Sequence, residues 1–434
     1  MSRQDITVRE FARLTTAAVP QGLDQAHISS SAFDWLCRLS SKWRGLGGPP
    51  IFQLEDQRWL RLDNYVGVLE TPCGLRIEIL PKHVDTDDQA TVSGARRILR
   101  RMLEASLHLP ARETAQTTLQ LFDSPLIEWV MGRFLIALDH VVKCGVRRAY
   151  LRVEEQERYL SGQLDLVRQL RAPPTRAHVF NMRHDLLTID RPENRLLKSA
   201  LLRTLRATRD TNNWRLANEL NHILVDVPTS RDWATDFKLW RSDKLAAHYQ
   251  PARPWCSLVL GDAMPLALVG NTPGISLLFP MQRLFEDYVG RVLRQHLPAN
   301  YKLTAQARRK SLCQQEGLPM FQLVPDFLVE GSGETMVFDA KWKRLDGRDQ
   351  KGGYGINQGD LYQLFAYGQK YLNGHGRMAL IYPRTAQFRE ALPSFHFSTD
   401  LLLDVLPVDL ETNALVVTPT WWLGLAGAPI ECVL

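Results

Sequence analysis

At 434 residues, 45% hydrophobic and 23% charged, the chain has the composition of an ordinary globular protein and the length for two or three domains with a sizeable core. Its net charge of +6 leans mildly toward polyanionic partners without by itself identifying a nucleic-acid binder. The six cysteines (Cys37, Cys73, Cys144, Cys256, Cys313 and Cys432) are scattered with no CxxC pair, which argues against a zinc site and a disulfide framework.

The first residues, MSRQDITVREFARL, lack the apolar run of a signal peptide, and no stretch reaches membrane-spanning length. A cytoplasmic protein with reduced thiols and no membrane partner is therefore expected. No internal repeat or low-complexity segment appears. Residues 59–83, WLRLDNYVGVLETPCGLRIEILPKH, alternate apolar and polar side chains around a Pro-Cys-Gly turn at 72–74. That period of two predicts a β-hairpin or part of a small barrel. An amphipathic helix follows over Ala95–Leu107, with Ile98, Leu99, Met102 and Leu103 as its apolar stripe. Arg96, Arg97, Arg100 and Arg101 lie off the stripe and read as a solvated face; contact with nucleic acid or an acidic partner is the alternative. A proline and several polar residues over His108–Thr117 mark a boundary.

From 118 to 250 the pattern is mainly helical. Helices are predicted over Leu126–Cys144, stopping at Gly145, and over Asn194–Arg206 and Trp214–Ile223, with strands at 146–155 and 161–170. Prolines and glycines over Pro251–Pro280 mark a second junction. The expected division is a β-rich domain over 1–110, a mainly helical region over 111–270 and a compact α/β domain over 271–434.

In that last domain, Met281–His296 is a helix with Leu284, Phe285, Tyr288, Val289, Val292 and Leu293 on its apolar side. Strand-like runs follow at Tyr301–Ala307, Phe321–Val329 and Thr335–Trp342, then a helix over Asn357–Leu372 and a buried strand at 377–383. The order is α-β-β-β-α-β. Gly331, Ser332 and Gly333 form a turn that should pair the second and third strands. Asp339 and Lys341, two apart, then share one face, and Asp326, just after Pro325, can reach the same spot from the neighbouring strand. Two carboxylates and an ammonium among apolar neighbours are unfavourable unless they pair or bind a cation. Carboxylates, with the backbone carbonyl of Ala340, make an oxygen site suited to Mg2+, which can polarise a phosphate and acidify a water. Lys341 can orient that water or offset developing charge. Glu286, at the edge of the preceding helix's apolar stripe, can add a carboxylate. Asp360, Gln363 and Tyr367 fall at i, i+3 and i+7 on one helix face, so Gln363 is placed toward the site. Singly, a P-D or D-x-K reads as a turn residue or a solvated strand end; the combination is what points to phosphodiester hydrolysis.

These residues resemble the PD-(D/E)xK nucleases, and the chain as a whole resembles the McrC family, the nuclease subunit of McrBC-type modification-dependent restriction systems. Segment 65–83, ending I-x-P-K, is similar to the family's N-terminal segment. CGVRRAYLRVEEQERYLSGQLDL (144–166), Asp190 with PENRLLKSAL (192–201), and PMQRLFEDYV (280–289) match further stretches. Ser161 stands where the family has Arg, and residues 1–55 match nothing. The resemblance implies a restriction-endonuclease-like αβββαβ core, with Asp326, Asp339, Lys341, Gln363 and Glu286 as its catalytic set. It further implies Mg2+ held by Asp326, Asp339, Glu286 and the Ala340 carbonyl, DNA as substrate, and a McrB-like AAA+ GTPase hexamer as partner. It assigns the N-terminal part, over 1–110, to docking on that ring. The chain has no GxxxxGK[ST] phosphate loop, consistent with hydrolysis of nucleotide by the partner. The other readings are a regulatory or docking subunit of an AAA+ motor whose nuclease fold has lost activity, and a PD-(D/E)xK nuclease of another defence or repair system.

Overall fold

The computed structural model describes residues 5–45, 50–56, 58–82, 89–107, 124–176, 178–241, 244–261, 275–331 and 333–416. Ser332 of the expected turn, the boundary at His108–Thr117, residues 262–274 of the second junction, and Cys432 lie outside the described residues. The class is mixed α/β, with several sheets and helices. Compact packing gathers Met1–Gly67, Cys73–Asp123 and Leu278–Leu434 into one unit, and Val68–Pro72 with Ser124–Leu277 into another. Among the described residues no helix is long and apolar enough to cross a membrane.

In the first unit, Gln25–His27, Arg13–Thr15, Trp59–Leu62 and Phe52–Glu55 form a small four-stranded sheet. Asp5–Arg9 runs parallel to Arg76–Leu80, which adjoins Tyr65–Glu70. The expected pairing over 59–83 is thus found in Tyr65–Glu70 and Arg76–Leu80, but Trp59–Leu62 belongs to the other sheet. Both strands are buried along their whole length, charged residues included, because both faces are covered. Glu78 is the reason the arginine stripe departs from its reading as a solvated face. Arg96, on the Gln89–Ser106 helix, is buried and forks onto Glu78, with Nη2 2.6 Å from Oε2 and Nε 3.1 Å from the same oxygen. Arg100 is buried as well, and Arg101 donates to the carbonyls of Leu410 and Glu411. Only Arg97 of the four stays exposed.

In the second unit, Ala149–Glu157, Phe180–Thr188 and Gln163–Leu164 make a three-stranded sheet. The strand expected over 161–170 is cut short because Asp165 accepts from the Arg168 N–H and caps a helix over Leu166–Leu170. Pro192 similarly opens the Pro192–Ala207 helix at its first turn, and Asp210 caps Thr211–Ile223. Both helices therefore start earlier than their apolar periodicity. The Asp190 and PENRLLKSAL segment works here as a staple. Asn194 donates to the carbonyls of Arg147 and Ile189 and accepts from Tyr249 Oη, while Arg195 bridges Asp190 and Asp236.

The rest of the first unit is a seven-stranded sheet. Tyr301–Ala305, Phe327–Gly331 and Glu334–Ala340 are antiparallel neighbours. Glu334–Ala340, Gly376–Pro383 and Leu401–Asp409 continue in parallel. The Met281–His296 helix packs one face: a Cβ on Gly290 would lie 2.8 Å from the Phe327 ring. The Gln358–Tyr371 helix packs the other, where Leu364 and Tyr367 meet Leu328, Val337, Met378 and Leu380. Leu401–Asp409, which the sequence pattern did not single out, is buried along nearly its whole length between Gly376–Pro383 and the two-residue strands Phe395–His396 and Ala414–Leu415. The run expected as one strand over Phe321–Val329 breaks at Pro325 and Asp326. Its first part pairs instead as Leu318–Leu323 with Lys310–Gln315, a separate hairpin.

Candidate active site

The Phe327–Gly331 and Glu334–Ala340 strands are in register through Phe327↔Phe338 and Gly331↔Glu334. One step beyond, Asp326 faces Asp339. Both carboxylates fall on the side of the sheet covered by the Gln358–Tyr371 helix, since Leu328 and Val337 of the same parity pack there. Asp326 is 8% exposed and Asp339 1%. Lys341 lies just past the strand end but keeps its place in the ladder, its N–H donating to Ile381 O at 2.9 Å. Its ammonium forms an ion pair with Asp339 Oδ2. The fold therefore brings Asp326, Asp339 and Lys341 together on one face, as their spacing in the sequence predicts.

Each carboxylate is held. Asp326 Oδ2 accepts from the Ala340 N–H at 2.9 Å, and Oδ1 accepts from Gln306 Nε2 at 3.1 Å. Burial, then the neighbouring Asp339 and Glu286 charges, push the Asp326 carboxyl up to about 8. Burial also raises Asp339, against the pull of Lys341. Burial alone would lower Lys341, yet Asp339, Asp326 and Asp360 outweigh it and hold the ammonium above its ordinary value. The site therefore keeps a cation on Lys341 and disfavours full ionisation of two facing acids.

Gln363 Oε1 stands 3.5 Å from Lys341 Nζ, and its amide donates to Tyr367 Oη at 2.6 Å. Asp360, one turn earlier, takes Lys343 at 3.0 Å. Glu286 is half-buried, raised by burial, and accepts from Gln282 Nε2 at 3.1 Å. Gln282 is a residue that motif reasoning passed over. It also donates to the Ala340 carbonyl at 2.6 Å and accepts from the Trp342 N–H at 3.0 Å. Its signal was position: it precedes Glu286 by one helical turn. Trp342 Nε1 in turn donates to Glu10 Oε1 at 2.7 Å, and the Lys82 N–H reaches the same oxygen at 2.7 Å. No local pattern foretold Glu10, which is wholly buried.

A family model described as McrBC 5-methylcytosine restriction system component matches residues 60–383. No curated protein matches the chain. Among solved structures, the fold is similar to a chain of a refined half-complex from a tetradecameric assembly of Thermococcus gammatolerans McrB AAA+ hexamers with bound McrC. The TM-score is 0.67 at 18% identity, over 94% of this chain and 98% of that one. The cryo-EM structure of the Thermococcus gammatolerans McrBC complex aligns over 71% of this chain and 90% of that one, at 18% identity and a TM-score of 0.49. The family match spans well over half of the sequence and includes the hairpin strands, Glu286, Asp326, Asp339, Lys341 and Gln363. This chain belongs to the McrBC 5-methylcytosine restriction system component family.

Proposed function

We propose that the chain is a Mg2+-dependent DNA endonuclease, the nuclease subunit of a modification-dependent restriction system that cleaves methylated foreign DNA with a McrB-like AAA+ GTPase hexamer. One observation carries the reading: Asp326 and Asp339 face each other in register, buried, with Lys341 paired to one of them. Like charges buried together need a proton or a cation between them. The ligand atoms that the two acids offer are carboxylate oxygens, which Mg2+ prefers. Among the described residues no three His, Cys, Asp or Glu side chains gather closely enough to hold a metal ion, so the facing pair Asp326 and Asp339 is the core of the site we assign. Mg2+ is commonly held by one or two carboxylates with waters completing its shell. Asp326 and Asp339 would hold the ion with the Ala340 carbonyl, whose oxygen has a second lone pair beyond its bond to Gln282. Glu286, whose charge Asp326 feels, is the further carboxylate we assign, to be drawn in by the ion.

Bound there, Mg2+ polarises a phosphate and lowers the pKa of a water. Lys341, kept protonated by its neighbours, acts as a cation facing developing negative charge rather than as a base. Gln363 and Tyr367 limit where that ammonium can point. The AAA+ partner is supported by the family and by the similar fold solved in an assembly of McrB hexamers with bound McrC. We assign docking to residues 1–110, on surfaces other than the buried strands Tyr65–Glu70 and Arg76–Leu80.

The test is cleavage of methylated and unmethylated DNA by the full chain co-purified with a McrB-like AAA+ protein from the same genome. Asp339→Ala should keep the fold and the partner and lose cleavage by at least about 10²–10³-fold. Lys341→Ala should lose cleavage but spare metal binding. Wild-type cutting by Asp339→Ala in Mg2+ rejects the site.

A further inference from the structure

The hairpin of Lys310–Gln315 and Leu318–Leu323 immediately precedes the Pro325-Asp326 step and has no part in the chemistry proposed above. It turns at Glu316 and Gly317, both at positive φ. Nearly every residue of both strands is exposed, yet several are large and apolar: Phe321 at 69%, Leu318 at 67%, Leu312 at 43% and Met320 at 38%. The register places Leu312 opposite Phe321, between the Ser311↔Gln322 and Cys313↔Met320 pairs. Phe321 sits at φ 57°, a region that costs a bulky side chain energy. Arg308 and Lys310, both exposed, stand where the hairpin begins; Arg309 between them is taken by Glu330 at 2.7 Å.

The root of the hairpin is fastened to the catalytic site. Tyr371 Oη shares its proton between the carbonyls of Ala307 (2.8 Å) and Leu323 (2.9 Å), so one side chain of the Gln358–Tyr371 helix holds the chain just before the hairpin to its last residue. One turn back, Tyr367 Oη donates to Val324 O at 2.9 Å while accepting from Gln363. Gln306, also at positive φ, holds Asp326 itself. A load on the hairpin therefore reaches Asp326 and Gln363 through directional bonds.

We propose that this hairpin is a duplex-binding element that seats in the major groove of the DNA being cut. Arg308 and Lys310 meet phosphates, and Leu312 and Phe321 meet base edges. The inference rests on the nuclease reading above. The major groove admits a two-stranded ribbon, and strands of this length reach about 20 Å. Arg308 and Lys310 against the single acid Glu316 favour DNA over a second copy of the chain.

The full chain tests this in two steps. Binding of a labelled duplex oligonucleotide is measured in EDTA by fluorescence anisotropy across a salt series. Cleavage is then measured with the AAA+ partner in Mg2+. The variants are Leu312→Thr/Phe321→Asn, chosen because Thr suits a strand and Asn tolerates positive φ, and Arg308→Ala/Lys310→Ala. The apolar variant should weaken binding about tenfold at every salt concentration. The basic variant should lower the slope of log affinity against log salt by about 2. If wild type cuts DNA and both variants bind and cut as it does, the hairpin assignment is overturned while the nuclease reading stands. It is equally overturned if the apolar variant turns a wild-type dimer into a monomer with unchanged duplex affinity, which makes the surface a contact between copies. A wild type that neither binds nor cuts DNA with its partner present removes the nuclease reading itself.

Discussion

Asp326 and Asp339 show how much one site depends on a single proton. With Asp326 pushed up to about 8 from an ordinary value of 3.8, the folded state keeps this carboxyl neutral where the unfolded chain ionises it. The stability it contributes is fully present below pH 3.8 and is lost as pH rises toward about 8. In EDTA we expect the melting temperature to fall across this window, and Mg2+ to restore most at the upper end, where the acids must ionise. Asp326→Asn should flatten both trends in differential scanning fluorimetry; an unchanged pH profile in that variant would show that the acid pair does not control them. Glu10 is a second buried acid, pushed up to about 7 by burial. Its Oε1 accepts from the Lys82 N–H and the Trp342 indole. Glu10→Ala removes that acceptor and should cost about 2–4 kcal/mol in urea unfolding, whereas Glu10→Gln, which keeps an acceptor, should cost far less. Equal losses in the two variants would reduce Glu10 to a packing role.

At the scale of elements, the catalytic strands are located by what packs behind them. Gly290 lets the Met281–His296 helix approach the sheet: a Cβ there would lie 2.8 Å from the Phe327 ring, next to Asp326. The ring is buried and has little room to give. Gly290→Ala should therefore cost about 1–3 kcal/mol and depress cleavage beyond what its stability loss explains. Measuring both on the same preparation separates the two; a variant as stable and active as wild type would mean that the helix simply shifts. Element boundaries departed from the apolar pattern for local reasons. Asp165 and Asp210 act through side-chain caps, and Pro325 ends a strand, whereas a hydrophobic period reports only the interior of an element.

For the whole molecule, buried ionic contacts tie one element to another. The Glu78–Arg96 pair is the clearest, with both residues under 10% exposed. Arg96→Met should cost about 3–5 kcal/mol by leaving Glu78 without this partner, and a companion Glu78→Gln change should recover much of that. Chemical unfolding of the two variants decides; no recovery in the double variant would indicate that the arginine matters by shape alone. The absence of a GxxxxGK[ST] segment belongs to this scale too. Purified alone, the chain should turn over neither GTP nor ATP. Turnover that survives stringent purification and co-elutes with the chain would reject that expectation.

The sequence by itself determined the local chemistry. Pro325-Asp326, the glycine turn and Asp339-Ala340-Lys341 name two adjoining strands and the face their side chains share, because a strand's period of two is a covalent property. The family was legible for the same reason, in motifs that each lie within a short stretch. Only the tertiary structure decided which charges are buried. Arg96 reads as solvated until Glu78 is brought onto it from another element, and Gln306, Gln282 and Glu10 acquire meaning only when folding closes long loops around Asp326, Ala340 and Trp342. Burial and hydrogen-bond partnership are properties of contacts between residues far apart in sequence, and a periodicity read along one segment carries no record of them.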